Sequence, residues 1–317
     1  MELVTNRPRI VVVGEGMVEL SIRGREARIG FGGDTLNTAI HLARFGLPTA
    51  YFTALGSDHF SRQLRADWSV EGLDTSLVLT DPDRRPGLYA ITTDPQGERS
   101  FEYWRSESAA RRMFELDETE AALDRVGEAG LLYFSLISLA ILPPPGRKRL
   151  LDIARHVRER GGQVAFDGNY RPRLWRNSAE ANELRDAAIA MCDIGLPTLD
   201  DEQQLSGLQS AESVAACWRS AGATEVAVKM GRHGALVEGA CIPPPALLRP
   251  IDTSGAGDAF NAGYLAARID GAQPAEAALL GHRLAGWVVM RRGAIPPTDD
   301  DAPYRNSLHP FRATEAC

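Results

Sequence analysis

The sequence predicts an α/β protein built as a three-layer α/β/α sandwich, with a small β-sheet standing off the main body. Two observations carry this. From the middle of the chain onward, short β-branched or apolar runs alternate with segments of helical periodicity, the rhythm of a parallel sheet covered on both faces. Nearer the start, two stretches instead alternate apolar and polar residues at period two, the pattern of strands with one solvated side.

Taken in order, "RIVVVGEG" is a β-branched run closed by glycine and reads as a buried parallel strand. "LNTAIHLARFG" follows with apolar residues at helical spacing and ends on Gly46. Between them lies "ELSIRGREARIGFGG", and further on "GLYAITTDPQGERSFEYW", the two stretches assigned to the small sheet. The second reads as two strands around Asp94, Pro95, Gln96 and Gly97, with proline in the second position of the turn. The strands "LLYFSLIS", "QVAFDGN", "IGLPT" and "EVAVKMG" then alternate with the helices "GRKRLLDIARHVRERGG", "AEANELRDAAIAMC" and "SAESVAACWRSAG". Two more helices, "AGDAFNAGYLAARIDG" and "PAEAALLGHRLAGWVVMRRG", complete the series. The closing "PPTDDDAPYRNSLHPFRATEAC" is proline-rich and aperiodic and reads as a loose tail. No repeat or low-complexity linker divides the chain. One domain over residues 1–296 is expected, with the small sheet drawn from about 16–31 and 86–106 and a tail over 297–317.

A chain of 317 residues, 44% hydrophobic and 24% charged, has the material for a sizeable core. Its net charge of −7 comes without any basic cluster, which argues against nucleic acid as a partner and leaves a small ligand met by a few arginines. Cys192, Cys217, Cys241 and Cys317 have neither disulfide-framework nor zinc spacing. No apolar run reaches the length of a membrane span, and "IVVVGEG" is too short for a signal sequence, so a cytoplasmic protein with no membrane partner is expected. Only Lys148 and Lys229 among 35 basic residues are lysines, which marks each for a possible specific use.

The stretch "IDTSGAGDAF" is the most pointed chemical signal. A helix beginning near Ala256 would leave the amides of Gly255, Ala256 and Gly257 as unpaired donors at its positive end, where an anion binds. Asp258 in the first turn would stand beside that anion as a base, the pair of functions that phosphoryl transfer to an alcohol requires. The same residues also suit a helix start capped by Thr253 or Ser254. Spacing alone leaves both open. Neither a Walker loop nor a G-x-G-x-x-G fingerprint is present, which removes the commoner phosphate-binding explanations.

"DTSGAGDAFNAGYLAAR" together with "GGDTLNTAIHLARFG" resembles the two signature regions of the ribokinase-like sugar kinases, and the resemblance runs from Ile10 to about Pro296. More narrowly, "GFGGDTLNTA", "FEYWRSESAAR", "FDGNYRPRLW" and "LPTLDDEQQLSG" are similar to members that phosphorylate the 6-hydroxyl of 2-keto-3-deoxygluconate from ATP. The resemblance implies a ribokinase-like fold whose small sheet is a lid, with ATP, Mg²⁺ and K⁺ as cofactors and an acid sugar as substrate. A neutral-sugar kinase and a sensor without turnover are the competing readings.

Asp258 would be the base and Gly255, Ala256 and Gly257 the anion hole. Asp34 can accept from sugar hydroxyls, Gly33 allows close approach, and Asn37 can donate and accept; Asp34 also suits a helix N-cap. The resemblance adds Tyr89, Tyr103 and Arg105 from the lid as sugar contacts, where an arginine would suit the substrate's carboxylate. Tyr89 can equally be hairpin packing. Arg171 is a second candidate for that carboxylate or a phosphate, and Asn169 is expected beside the ATP phosphates, both at the carboxyl end of a strand. Lys229, Gly231 and Gly234 are expected to border ATP. Thr198 and Asp201 stand where the family has Asn-x-x-Glu, so Asp201 would reach Mg²⁺ through water. Asp252, with Thr253, resembles the monovalent-cation loop. Exposed lid edges make a homo-oligomer a further expectation.

Overall fold

Uninterrupted β-branched and aromatic runs build the centre of the molecule. The computed structural model describes residues 8–93 and 99–304. In chain order its first part comprises β1 (Ile10–Val13), β2 (Met17–Arg23), β3 (Glu26–Gly32), α1 (Asp34–Arg44), β4 (Thr49–Leu55), α2 (His59–Val70), β5 (Val78–Thr80), β6 (Leu88–Thr93) and β7 (Arg99–Trp104). Next come α3 (Thr119–Val126), β8 (Leu131–Ser135), α4 (Leu136–Ile141), α5 (Pro144–Glu159), β9 (Gln163–Asp167), α6 (Ser178–Ile189), β10 (Ile194–Gly195), α7 (Leu199–Ser206) and α8 (Ala211–Ala221). The series ends with β11 (Glu225–Lys229), β12 (Ala235–Val237), β13 (Ala240–Ile242), α9 (Ala256–Ile269) and α10 (Pro274–Val289).

The large sheet runs β13-β12-β11-β10-β9-β8-β1-β4-β5. It is parallel from β5 to β11, and β12 and β13 turn back antiparallel at one edge. Alternate residues of each strand enter different cores: Val11, Val13 and Phe134 pack with residues of α3, α5, α6 and α8. Ile10, Val12 and Tyr133 pack with α1, α2, α9 and α10. Both faces are therefore covered, which is why these strands read as continuous apolar runs. The second sheet has the order β3-β2-β6-β7 and forms from the two alternating stretches, as their half-solvated pattern requires.

Four details differ from the sequence reading. The apolar stretch "LLYFSLIS" is a strand only to Ser135, whose side chain and that of Ser138 cap each other's backbone and start α4. The strand expected over "IGLPT" shrinks to Ile194–Gly195. Residues after 296 are held as far as Tyr304, whose hydroxyl lies 2.6 Å from His41 Nδ1. Residues 49–80 add β4, α2 and β5, which periodicity had not singled out. The turn at Asp94, Pro95, Gln96 and Gly97 lies outside the described residues.

Candidate active site

The strands β8, β9 and β11 all end on one side of the large sheet, and α1 and α9 begin there. This is the edge where open α/β sheets take ligands. Of the candidate site residues, all but Asp252 line a single cavity of about 1500 Å³, which extends beneath the second sheet.

Helix α9 starts at Ala256, with Gly255 as its N-cap at φ 71, a left-handed conformation that glycine adopts without strain. Neither Thr253 nor Ser254 is the cap. A Cβ on Gly255 would also lie 2.5 Å from the Ala294 Cβ, so no side chain fits there. The amides of Gly255 and Gly257 have no acceptor among the described residues. The Ala256 amide, expected to be equally available, donates to the Thr253 carbonyl at 3.3 Å. The anion hole therefore rests first on the two glycines.

Asp258 is buried in the first turn of α9, and its Oδ2 accepts from Asn37 Nδ2 at 2.7 Å. Burial pushes its carboxyl up to about 8, the charge of Asp34 adds to this, and the Asn37 hydrogen bond opposes it. A carboxylate that holds a proton near neutrality is suited to exchanging one with an alcohol. Asp34 is not an N-cap: Gly33 takes that place at φ 153, pressed against the Glu15 carbonyl where a Cβ would clash. Asp34 is the first helical residue, and its Oδ2 accepts from Ser135 Oγ and from Asn169 Nδ2, the latter at 3.3 Å. Burial raises its carboxyl as well. Asn169, expected beside the ATP phosphates, thus borders the cavity with its amide directed at Asp34.

Lys229 lines the same cavity. Its ammonium is buried, donating to Asp167 Oδ1 and Asn261 Oδ1 at 2.9 Å each. It lies just under the glycine turn, 3.8 Å from where a Cβ on Gly257 would stand. Asn261 completes the network by donating to Asp167 Oδ2 and to Tyr133 Oη. Gly231 and Gly234 border the same cavity, and a side chain on Gly231 would meet open space.

Under the second sheet, Arg105 donates through Nε to Glu15 Oε2 at 2.7 Å and pairs with it through Nη2. Its Nη1 side remains for a ligand. Tyr89 donates to Glu19 Oε2 and stacks on Tyr103 with centroids 5.8 Å apart. Tyr89 is thus both packed and turned toward the cavity.

Arg171 Nη1 donates to both oxygens of Asp201, at 3.1 and 3.3 Å, and to the Tyr170 carbonyl. Burial raises the Asp201 carboxyl, with the Arg171 charge opposing. Among the described residues no three acidic, histidine or cysteine side chains gather as a metal cage. Asp252 lies outside the cavity, its Oδ1 accepting from the Ser254 amide and its Oδ2 from the Gly293 amide at 2.7 Å. Its carboxylate ties two loops together.

Glu15, Glu19, Thr38, Ser135 and Asn261 were missed by sequence reasoning. For Asn261 a signal existed: it falls one helical turn after Asp258, on the same face of an otherwise apolar helix. Glu15 and Glu19 carried none, because only the fold brings them to the lid arginine and tyrosine.

A family model described as pfkB family carbohydrate kinase matches residues 4–301. The chain is 45% identical over 302 residues to the 2-dehydro-3-deoxygluconokinase of Escherichia coli, spanning 92% of this chain and 98% of that protein. It is 42% identical over 301 residues to the 2-dehydro-3-deoxygluconokinase of Dickeya dadantii, spanning 92% and 97%. Its fold matches the crystal structure of aminoimidazole riboside kinase from Salmonella enterica, complexed with aminoimidazole riboside and an ATP analog. That match has a TM-score of 0.77 at 27% identity and covers 90% of this chain and 95% of that one.

Proposed function

The chain belongs to the pfkB family of carbohydrate kinases and has its ribokinase-like fold, and from that premise we propose that it phosphorylates the 6-hydroxyl of 2-keto-3-deoxygluconate at the expense of ATP. The substrate is that of relatives 42–45% identical over nearly their whole length, since 2-dehydro-3-deoxygluconate is the same acid sugar. The observation that carries the chemistry is Asp258, buried and hydrogen-bonded to Asn37, in the first turn of a helix whose glycine amides are unpaired.

Asp258 accepts the proton of the 6-hydroxyl as that oxygen bonds to the γ-phosphorus and the bond to the bridging oxygen of ADP breaks. The amides of Gly255 and Gly257 receive the charge gathering on the transferring group, with the Lys229 ammonium beneath them. Asp34 and Asn37 hold the sugar's hydroxyls, Tyr89 and Tyr103 cover it, and the free side of Arg105 takes its carboxylate. Gly231 and Gly234 leave room for ATP. Bound Mg²⁺ would supply charge neutralisation for the ATP phosphates, and Asp201 is the residue that would hold it through water. Closure of the second sheet excludes water from the transfer.

Dependence on K⁺, implied by resemblance for the Asp252 and Thr253 loop, is read by replacing K⁺ with choline. A homo-oligomer covering the exposed Ile29 and Trp104 of the lid is read by sedimentation. Among the described residues no helix is long and apolar enough to cross a membrane, and a cytoplasmic setting suits the use of ATP.

The test is ADP release over 2-keto-3-deoxygluconate, its galactonate epimer, fructose and ribose. The highest kcat/KM is expected for an acid sugar. A preference for fructose would make this a neutral-sugar kinase, and no ADP release above background with any of them would contradict turnover.

A further inference from the structure

Helix α1 carries Asn37, Thr38, His41 and Arg44 on one face, at helical positions that lie above one another. Each bonds toward the base or the loop behind the anion hole. Asn37 reaches Asp258 Oδ2, and Thr38 Oγ1 reaches the Asp258 carbonyl at 3.2 Å. His41 Nε2 lies 3.1 Å from the Ala294 carbonyl, and Arg44 Nη1 donates to the Pro296 carbonyl at 2.8 Å. The first pair serves the catalytic carboxylate. The second pair lies behind the cavity and has no part in the mechanism above.

His41 is fully buried. Burial, with the Arg44 charge adding, drives its imidazole down to about 3, so the ring is neutral and carries one proton. A carbonyl only accepts, so that proton is on Nε2 and points at Ala294. Nδ1 is then an acceptor and takes the hydroxyl of Tyr304 at 2.6 Å. Tyr304 thus selects the tautomer that holds Ala294. Its ring is fixed edge-on between Phe45 and Trp287, with centroids 5.0 and 5.7 Å away. Ala294 in turn is the surface on which Gly255 rests, and the Asp252 carboxylate ties the neighbouring Gly293 amide to the same turn.

We propose that His41, held in its tautomer by Tyr304, is a positioning residue for the anion hole, acting through the Ala294 carbonyl on the placement of Gly255. The inference rests on the phosphotransfer reading above. One rigid helix then sets the sugar ligands at its start and the wall of the phosphoryl site at its end, so both substrates are registered to a common frame. Donors that act on charge developing in the transition state lose their effect when displaced by a fraction of an ångström, while ground-state binding is little changed.

The test uses the full chain with Tyr304→Phe, which keeps the ring packing and removes the hydroxyl, and His41→Gln, whose amide can still donate to Ala294. Four quantities are read: kcat, the two KM values, the melting temperature, and the affinity for ADP with aluminium fluoride and sugar, a mimic of the transferring phosphoryl group. Loss of one neutral hydrogen bond predicts a fall in kcat of about threefold to tenfold in Tyr304→Phe, with an equal loss of affinity for the mimic. Both KM values should stay within about twofold and the melting temperature should hold. His41→Gln should lose less than His41→Ala. Unchanged kcat in Tyr304→Phe, with a wild type that turns over, overturns the proposal alone. So does a parallel decline of kcat, both KM values and the melting temperature, the mark of a merely structural contact. A wild type that phosphorylates no sugar overturns the functional reading and this role with it.

Discussion

The pH dependence of kcat/KM exposes the base most fully. Asp258 is buried with Asp34 and Asp167 for neighbours, and burial first and the Asp34 charge second bring its pKa to about 8. The free enzyme must lose that proton to act as a base. With a value near 8, the ionised fraction is about one in eleven at pH 7 and about one in a hundred at pH 6. The expected kcat/KM therefore falls about tenfold per unit below pH 8 and levels off at about pH 9. Two substitutions move this limb in opposite directions. Asp34→Asn removes a charge that disfavours ionisation and shifts the limb to lower pH, whereas Asn37→Ala removes the hydrogen bond that favours it and shifts the limb up. The assay is coupled ADP release from about pH 5.5 to 9.5 with coupling enzymes in excess, the window that brackets the limb. A flat profile above pH 6, or a limb that neither substitution moves, would refute the buried base. Stability has the opposite sign: between 3.8 and about 8 the folded chain keeps a proton that the unfolded chain releases, so this group's contribution to stability declines as pH rises. Maximal activity and maximal stability should fall at different pH values.

Two further substitutions follow from the same geometry. Gly255→Ala would force φ 71 on a residue with a Cβ that meets Ala294, so kcat should fall by about 10²-fold or more, the scale for losing an oxyanion donor; kcat within a few-fold of wild type would contradict the placement of the anion hole. Arg105→Lys cannot both hold Glu15 through two nitrogens and present a second edge, so KM for 2-keto-3-deoxygluconate should rise by about tenfold or more while a neutral sugar is little affected. Equal losses for both sugars would argue against carboxylate recognition.

How far the sequence announces this molecule depends on whether a signal is local. Helix α9 starts at Ala256 as the glycine turn implies, because the left-handed Gly255 and the first-turn Asp258 are local features. The two alternating stretches pair into the second sheet because period two dictates one solvated face. Where one apolar run served both states, periodicity could not divide it: residues 131–141 are all buried, and only the Ser135 and Ser138 cap marks the change from β8 to α4. The partners of Lys229 were illegible for a different reason. Asp167 lies 62 residues before it and Asn261 lies 32 after it, and only the convergence of β9, β11 and α9 joins them. The contacts that Asn169 makes with Asp34 and Asp252 with Gly293 were illegible for the same reason, since each spans the fold.

The division of labour between base and anion hole is tested most directly by Asp258→Asn, measured as turnover of 2-keto-3-deoxygluconate alongside equilibrium binding of the sugar. The amide can still contact Asn37 but cannot take the proton. A fall in kcat of roughly 10²–10⁴-fold is expected, with sugar affinity changed little and the fold intact by melting temperature. Turnover near that of the wild type, in protein that binds sugar normally, would contradict Asp258 as the base.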